Sequence, residues 1–254
     1  MKSIFKKIAI LLIGLMIGGV MEAQIVNMES LRKPTDTTGF AGGIVLNGTY
    51  LDNDNVIYTL GFEPNVQYKT KKDLFLVVGD YKITKSDKQS YQDAAFLHFR
   101  HNYKFSDRLR WEAFTQIQDN KIIKLKYRFL AGTGPRFKLV GEKSFRLYLG
   151  VIPMYEHEQI DDSRETINKS MRLSQYLSFT VRLGSHTEWY STSYYQPVIG
   201  KAKDFRFFNE QKMKIHIVGN LAFNFSGIYT WDSRPPEGAP GRTFHLKTGL
   251  QYDF

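Results

Sequence analysis

The last segment of the chain, residues 243–254, constrains the fold more than any other stretch. Its residues alternate between apolar and polar with a period of two, which is typical of a β-strand. The apolar face comprises Phe244, Leu246, Leu250, Tyr252 and Phe254, and the polar face comprises His245, Lys247, Gln251 and Asp253. A strand with one face for lipid and one for water predicts a transmembrane β-barrel of the outer-membrane type.

The same segment predicts how such a barrel is assembled. A terminal aromatic residue, preceded by a second aromatic, a glycine and a lysine, is similar to the signal that outer-membrane proteins present to their insertion machinery. The residues in this pattern are Lys247, Gly249, Tyr252 and Phe254. We therefore expect the insertion machinery to be a partner of the chain.

From Gly39 onward the chain repeats this pattern in alternating runs of roughly ten residues, separated by polar or Gly/Pro turns. The predicted strands lie at 41–51, 55–69, 73–84, 92–105, 109–118, 122–138, 144–157, 171–183, 187–199, 205–217, 221–232 and 243–254. This count of about twelve is even, as a single-chain bacterial barrel requires. The predicted fold class is all-β, an antiparallel up-and-down barrel in which the last strand pairs with the strand near Ala41. The GTGP motif at 132–135 predicts a bulge or a bend.

The connections between these strands alternate between tight turns and a set that includes longer, more charged loops. Tight turns are predicted at 69–73, 106–108, 141–143, 184–186 and 218–220, and the longer loops include 85–91, 160–170 and 233–242. This asymmetry predicts that both termini are periplasmic. A soluble β-sandwich would alternate too, but long strands and aromatic strand ends favour the barrel.

The N-terminus predicts export. Three lysines precede an apolar run over 8–21, and Ala23 offers a small residue for cleavage before Gln24. The run is shorter than the ~20 residues that span a membrane, so we interpret it as part of a signal peptide. The predicted divisions are a signal peptide over 1–23, a polar periplasmic lead-in over 24–38 and a barrel over 39–254.

The composition narrows the classes of partner and chemistry. Aromatic residues make up 15% of the chain, a share that suits aromatic girdles at two membrane interfaces. The absence of cysteine excludes disulfides, thiolate chemistry and a lipid anchor on cysteine. The net charge of +10 would suit nucleic acid, but the sequence has no recognised binding module. We therefore expect no nucleic-acid partner and a basic barrel lumen instead.

The inward faces of the predicted strands are charged, and basic residues outnumber acidic ones. The candidate lumen charges are Arg100, Arg110, Glu112, Lys124, Lys126, Arg128, Arg182, Glu210, Lys212 and Lys214. Rings of arginine and lysine favour anions in a pore, which predicts a narrow, anion-leaning channel. Alternatively, the charges pair across the barrel and fill it without conduction, since about twelve strands leave room for either arrangement.

Catalytic and metal-binding motifs are sparse. His157 lies between Glu156 and Glu158 near a loop, but there is no G-x-S-x-G motif to accompany it. His98 and His101 are three residues apart, so a strand points their rings to opposite faces. The acidic residues 161, 162 and 165 lack the periodicity of a calcium loop. No catalytic residue, metal ligand or cofactor is therefore assigned.

Several stretches resemble a known family. They are QIVNMESLR, VQYKTKKDLFLVVGDY, FLHFRHNYKFSDRLRWEAFTQIQDNKI, RFLAGTGPRFKL, SQYLSFT, STSYYQP and WDSRPPEGAP. Together they are similar to uncharacterised outer-membrane proteins, grouped as a domain of unknown function and often called salt-induced outer-membrane proteins, in the version of the Bacteroidetes group. The resemblance covers essentially all of the chain after the signal peptide. It implies an outer-membrane barrel with no assigned activity or cofactor.

Three functional hypotheses follow. The first is a monomeric outer-membrane barrel that is either a narrow anion-leaning pore or a structural barrel of the envelope. The second is an envelope enzyme that acts on lipid or lipopolysaccharide, with His157 at the outer rim. The third is a lipid-binding or adhesion barrel that works through loop 160–170. In each case outer-membrane lipid and lipopolysaccharide are the expected surroundings.

Overall fold

A computed structural model describes residues 27–32, 38–52, 56–86 and 89–254. The predicted signal peptide and its cleavage site at Ala23 and Gln24 lie outside the described residues. The described residues include two 3₁₀ turns, at Glu29–Leu31 and Lys121–Ile123. The strands are β1 (Gly39–Asp52), β2 (Val56–Lys69), β3 (Asp73–Ser86), β4 (Gln89–Lys104), β5 (Leu109–Asn120), β6 (Leu125–Gly141), β7 (Phe145–Ile160), β8 (Ile167–Leu183), β9 (Thr187–Val198), β10 (Lys201–Val218), β11 (Leu221–Asp232) and β12 (Arg242–Asp253). No helix of the described residues is long and apolar enough to cross a membrane.

The twelve strands close into one antiparallel barrel. Each strand pairs with its neighbours in sequence, and β12 pairs with β1, so that Gly43 lies opposite Asp253. Beyond this pair, the N–H of Phe254 donates to the carbonyl of Gly42 over 3.0 Å, and the N–H of Gly42 donates back over 2.8 Å. The predicted barrel and its closing pair of strands are confirmed, and the β-sandwich is excluded.

The barrel has two unlike ends. At the end where β1 begins and β12 ends, which we call the terminus end, the strands are joined by connections of two to four residues. The opposite end, which we call the loop end, carries the six-residue loop 161–166 and the nine-residue loop 233–241. Asp162 stabilises the first of these loops by accepting hydrogen bonds from the N–H and the hydroxyl of Thr166, at 2.9 and 2.6 Å.

The outer surface of the barrel is apolar. Side chains that alternate with the buried ones remain exposed although they are large and hydrophobic, as for Leu60, Phe62, Val77, Leu97, Phe99, Leu177, Phe225, Leu246 and Leu250. A continuous belt of such residues would be a liability in water and is the normal surface of a barrel in lipid. The chain is therefore a transmembrane barrel.

The structure departs from the predicted strand pattern in two places on β6. Lys124 has a φ of 55°, and the pairing with β7 shifts register between Leu125 and Tyr127, so regular alternation begins only after this irregularity. The GTGP motif at 132–135 produces no bulge. Pairing of β6 with β7 is interrupted between Gly132 and Arg136, opposite Pro153, and then resumes in the same register.

Candidate functional site: the barrel lumen and its N-terminal plug

The lumen contains a piece of the chain itself. Residues 27–32, which we call the plug, lie inside the barrel and include the 3₁₀ turn Glu29–Leu31. Met28 and Leu31 are buried against Leu76, Val78 and Phe96, three inward-facing residues of β3 and β4. The sequence predicts a periplasmic lead-in over 24–38, and the structure describes residues 27–32 of that segment inside the barrel.

A single carboxylate holds the plug to the wall. Glu29 accepts from Nη2 of Arg136 at 2.6 Å and pairs with Arg100 at 3.3 Å and Arg32 at 3.2 Å. Burial alone would raise the pKa of Glu29, but the three guanidinium groups lower it from 4.5 to about 2. Glu29 is therefore an anion fully enclosed by cations contributed by β4, β6 and the plug.

Further polar contacts fix both ends of the plug. Arg32 donates to the carboxylate of Glu112 at 2.6 Å and to the side-chain oxygen of Asn102. Asn27 donates to the carboxylate of Glu210 on β10 at 2.7 Å. Because these partners lie on opposite walls, the plug bridges the lumen rather than following one strand.

Tyr176 joins Glu29, Arg100, Glu112 and Arg136 in one layer of polar contacts, which we call the middle layer. Its hydroxyl donates to Glu112 at 2.6 Å and accepts from Nε of Arg136 at 3.0 Å. A β-carbon at Gly150 would lie 2.1 Å from the ring of Tyr176, so only glycine leaves room for the ring at this position. Tyr176 also belongs to an apolar cluster inside the barrel, with Phe114, Leu130, Ile152, Met154, Tyr194, Phe208 and Ile228. The middle of the lumen is thus a packed core.

Towards the loop end, a second group of charges pairs entirely within the wall. We call it the lattice, and it comprises Arg128, Glu156, Glu158, Arg172, Asp204, Arg206 and Asp232. Glu156 contacts all three arginines, at 3.2 Å for Arg128, 2.6 Å for Arg172 and a short contact for Arg206. Three cations thus meet four anions, and every arginine of the lattice has a carboxylate partner without the plug.

The terminus end is open and strongly basic. A cavity of about 560 Å³, which we call the vestibule, lies beneath the plug and is bounded by Glu29 and Arg32 on its inner side. Eleven of its lining residues are lysine or arginine and three are aspartate or glutamate. A smaller cavity of about 110 Å³ lies against Asn27, Ser30 and Leu31, and its wall carries both signs of charge.

The predicted lumen charges fall into three places. Arg100, Glu112, Arg128, Glu210, Lys212 and Lys214 are buried inside the barrel. Arg110 and Arg182 line the vestibule, where Arg182 pairs with Glu188 at 3.1 Å. Lys124 and Lys126 lie on the exposed rim of the loop end, where Lys126 pairs with Glu165 at 2.6 Å. These two are not lumen charges, because the irregular start of β6 turns them outward.

The residues of the predicted assembly signal lie on both faces of β12. Tyr252 and Phe254 are exposed on the outer surface near the terminus end. Lys247 points inward and forms an ion pair with Glu63. A β-carbon at Gly249 would lie 2.8 Å from the carbonyl oxygen of Leu46, so this glycine allows β12 to approach β1 closely.

The structure does not bring the candidate catalytic residues together. Glu156 and Glu158 point into the lattice, whereas His157 points outward, with its ring 6.4 Å from the ring of Tyr127. His98 is buried in the lumen, while His101 lies outside and contacts Asp73 at 2.9 Å. Among the described residues, no group of three or more His, Cys, Asp or Glu is placed to hold a metal ion.

A comparison with protein families assigns the chain to a family. Residues 48–254 match the family described as "Protein of unknown function, DUF481". The chain belongs to this family. No curated protein sequence matches the chain. The predicted resemblance to a family of unknown function is therefore confirmed, and membership brings no assigned activity.

Solved structures of similar fold are outer-membrane barrels. The COG4313 outer membrane channel from Pseudomonas putida F1 has a TM-score of 0.55 and 8% identity, with 91% of this chain and 100% of that chain covered. The NanC porin has a TM-score of 0.54 and 9% identity, with 83% of this chain and 98% of that chain covered. At such low identity the likeness concerns the fold.

Sequence reasoning missed the plug and most of the vestibule. Lys138 lines the vestibule near the end of β6, where a strand pattern distinguishes lumen from rim poorly. The plug carried one usable signal: Met28 and Leu31 are three residues apart, with Glu29 and Arg32 at the same spacing. This spacing puts the two apolar residues on one side of a helical turn and the two charges on another.

Proposed function

We propose that this protein is an integral barrel of the outer membrane that acts as a regulated, anion-preferring passage, closed in the present conformation by its own plug. The observation that carries the proposal is the enclosure of Glu29 by Arg100, Arg136 and Arg32 in the middle of the lumen. A carboxylate held by wall arginines occupies the position that a permeating anion would have to cross.

The charge of the lumen supports the preference for anions. Arginine and lysine side chains in a confined pore attract anions and repel cations. When the plug leaves, Glu29 and Arg32 leave together, so Arg100 and Arg136 remain opposite the single carboxylate of Glu112. The open middle layer then carries a net positive charge, and the vestibule beneath it is more basic still.

Export and cleavage are part of the proposal. Cleavage between Ala23 and Gln24 would leave three residues ahead of Asn27, the first residue of the plug. We propose that the chain is exported, cleaved and then inserted by the assembly machinery as a monomer among lipid and lipopolysaccharide.

The assembly signal has its own test. Removal of Phe254 deletes both the terminal aromatic ring and the backbone pair with Gly42. We expect less folded barrel in the membrane, measured by the heat-modifiable mobility of the protein on gels. Unchanged mobility would contradict the role of Phe254.

Reconstitution in planar bilayers tests the passage. We expect the full chain to be closed most of the time, and a variant lacking residues 27–32 to conduct with an anion-selective reversal potential in a KCl gradient. Glu29→Gln should open the barrel partly, since it keeps the shape of the side chain but loses the charge. Glu237→Gln, at an exposed carboxylate of the loop end, is the matched control and should stay closed. A closed deletion variant, or a cation-selective one, would contradict the proposal.

A structural barrel is the second candidate function. The packed cluster around Tyr176 and the neutralised lattice favour it, because both fill the lumen without help from the plug. Persistent closure of the folded deletion variant is the result that would establish it.

A further inference from the structure

The vestibule contains cations of like charge placed directly opposite one another. Lys104 on β4 is the cross-strand partner of Arg110 on β5, and Arg110 is the partner of Arg136 on β6. All three side chains line the vestibule. Directly opposed side chains have their β-carbons about 5 Å apart, and like charges in such pairs destabilise a sheet. This row therefore costs stability unless an anion is shared between its members.

The protein itself supplies few anions there. Arg136 pairs with Glu29, and Lys104 pairs with the exposed carboxylate of Asp107 at 2.6 Å. Within the described part of the chain, Arg110, Lys138 and Arg146 have no carboxylate partner. These three side chains belong to adjacent strands, β5, β6 and β7, and all line the vestibule.

A buried donor at the inner side of the vestibule is also uncommitted. Nη1 of Arg136 is buried, yet it makes no hydrogen bond within the described residues, although the guanidinium lies 3.7 Å from the ring of Tyr148. Buried polar atoms in proteins nearly always have a partner, and an exception calls for one. Arg136 thus offers one nitrogen to Glu29 of the plug and holds another without a partner.

We propose that the vestibule binds a small, multiply charged oxyanion solute that carries phosphate or carboxylate groups. Arginine recognises such groups with two parallel N–H donors, and lysine adds point charge. A cavity of about 560 Å³ lies within the size range of small-molecule sites. The excess of eleven basic over three acidic lining residues matches a solute with several negative charges.

The bound solute would also be the one that uses the proposed passage, and in that respect the inference rests on the proposed function. Binding in the vestibule itself requires no conduction. The solute reaches the vestibule from the terminus end while the plug remains in place. Arg136 is the residue shared by the two sites, because it lines the vestibule and also holds Glu29.

Calorimetric titration of the folded full chain in zwitterionic detergent tests the proposal. The probes are sodium tripolyphosphate and sodium citrate, at constant ionic strength because screening weakens any exposed charge contact. The test variant combines Arg110→Gln, Lys138→Gln and Arg146→Gln. The matched control combines Lys169→Gln, Lys201→Gln and Lys203→Gln, which removes the same charge from exposed positions at the loop end.

We expect the wild type and the control to bind at least one probe, and the test variant to bind it about 100-fold more weakly or worse, as each lost charged hydrogen bond costs about tenfold. Binding of tripolyphosphate alone would assign a phosphate-bearing solute, and binding of citrate alone a carboxylate-bearing one. If the triple variant does not fold by gel mobility, Arg146→Gln alone should weaken binding about tenfold. Absence of binding by the wild type, or equal affinity of the two triple variants, would overturn the proposal. Binding by a barrel that stays closed after deletion of the plug would overturn only the passage.

Discussion

The lattice and the vestibule lie in the same lumen and both consist largely of charged residues, yet positive charges are paired in the lattice and in excess in the vestibule. In the lattice, three arginines face four carboxylates, and Arg128, Glu156 and Arg206 are all buried. In the vestibule, eleven basic residues face three acidic ones around an open cavity. The plug lies between these regions and contributes one carboxylate and one guanidinium to the middle layer.

The difference separates charges that hold the barrel together from charges that are available to a ligand. A buried charge deprived of its partner is costly, so the lattice can tolerate little change. Removal of a cation that already lacks a partner costs the fold little stability, and relief of repulsion between like charges can even stabilise it. The two regions should therefore respond with opposite signs to the removal of a charge.

The largest effect is expected in the lattice. Glu156→Gln removes the carboxylate that contacts all three arginines of the lattice and should lower the free energy of unfolding by about 3–5 kcal/mol. Urea unfolding in detergent measures this change. Glu142→Gln, at an exposed carboxylate, serves as the control and should change stability by less than about 0.5 kcal/mol. Equal stability of the two variants would remove the distinction between the regions.

Acid should weaken the plug. The pKa of Glu29 is lowered from 4.5 to about 2, so its stabilisation is present above about pH 4.5 and is lost as pH falls towards 2. The full contribution is about 3 kcal/mol. Arg32, Arg100, Arg136 and the carboxylate of Glu112 face Glu29, and the arginines stay charged throughout this range.

Bilayer recordings between pH 7 and pH 3 measure this dependence. The open fraction of the wild type should rise as pH falls below about 4.5, whereas Glu29→Gln should already be partly open at pH 7 and change less. A pH profile shared by the two proteins would assign the effect to the wall carboxylates instead.

A steric change should loosen the middle layer without altering any charge. Gly150→Ala places a β-carbon against the ring of Tyr176 and should cost about 1–3 kcal/mol. Gly227→Ala is the control, because its β-carbon would meet Leu246 at an ordinary 3.7 Å. Urea unfolding of both variants gives the comparison, and a loss in Gly227→Ala as large as in Gly150→Ala would show that the packing around Tyr176 is not responsible.

The smallest effect has the opposite sign. Arg110→Gln removes the middle member of the row formed with Lys104 and Arg136 and should stabilise the barrel by about 0.5 kcal/mol. Lys203→Gln, at an exposed position of the loop end, should leave stability unchanged. A loss of stability in Arg110→Gln would mean that the row is neutralised within the wall after all.

The fold was largely predictable because apolar and polar residues alternate along the sequence of a transmembrane strand. The alternation in β12 alone predicted its outward residues, and its pairing with β1 followed from the need to close the barrel. Prediction failed at Lys124 and Lys126, since a residue at positive φ followed by a register shift resets the alternation.

That periodicity could not predict the position of the plug. Its six residues have no strand pattern, and their burial depends on contacts with Arg100, Glu112 and Arg136, which join residues 71 to 107 positions apart along the chain. Likewise, the surplus of cations at the terminus end emerges only when β4, β5 and β6 are placed in register. The charges were visible in the sequence, but their pairing was not.

The rate at which a thiol reagent modifies Met28→Cys tests the docked plug most directly, because the natural chain contains no cysteine. Met28 is 1% exposed when the plug is bound. We predict slow modification of the folded barrel at pH 7 and a rate about tenfold higher or more when Glu29→Gln is added, as loss of a charged contact of this kind shifts an equilibrium by at least that factor. Fast modification with Glu29 intact, at a rate that Glu29→Gln does not change, would contradict closure of the lumen by the plug.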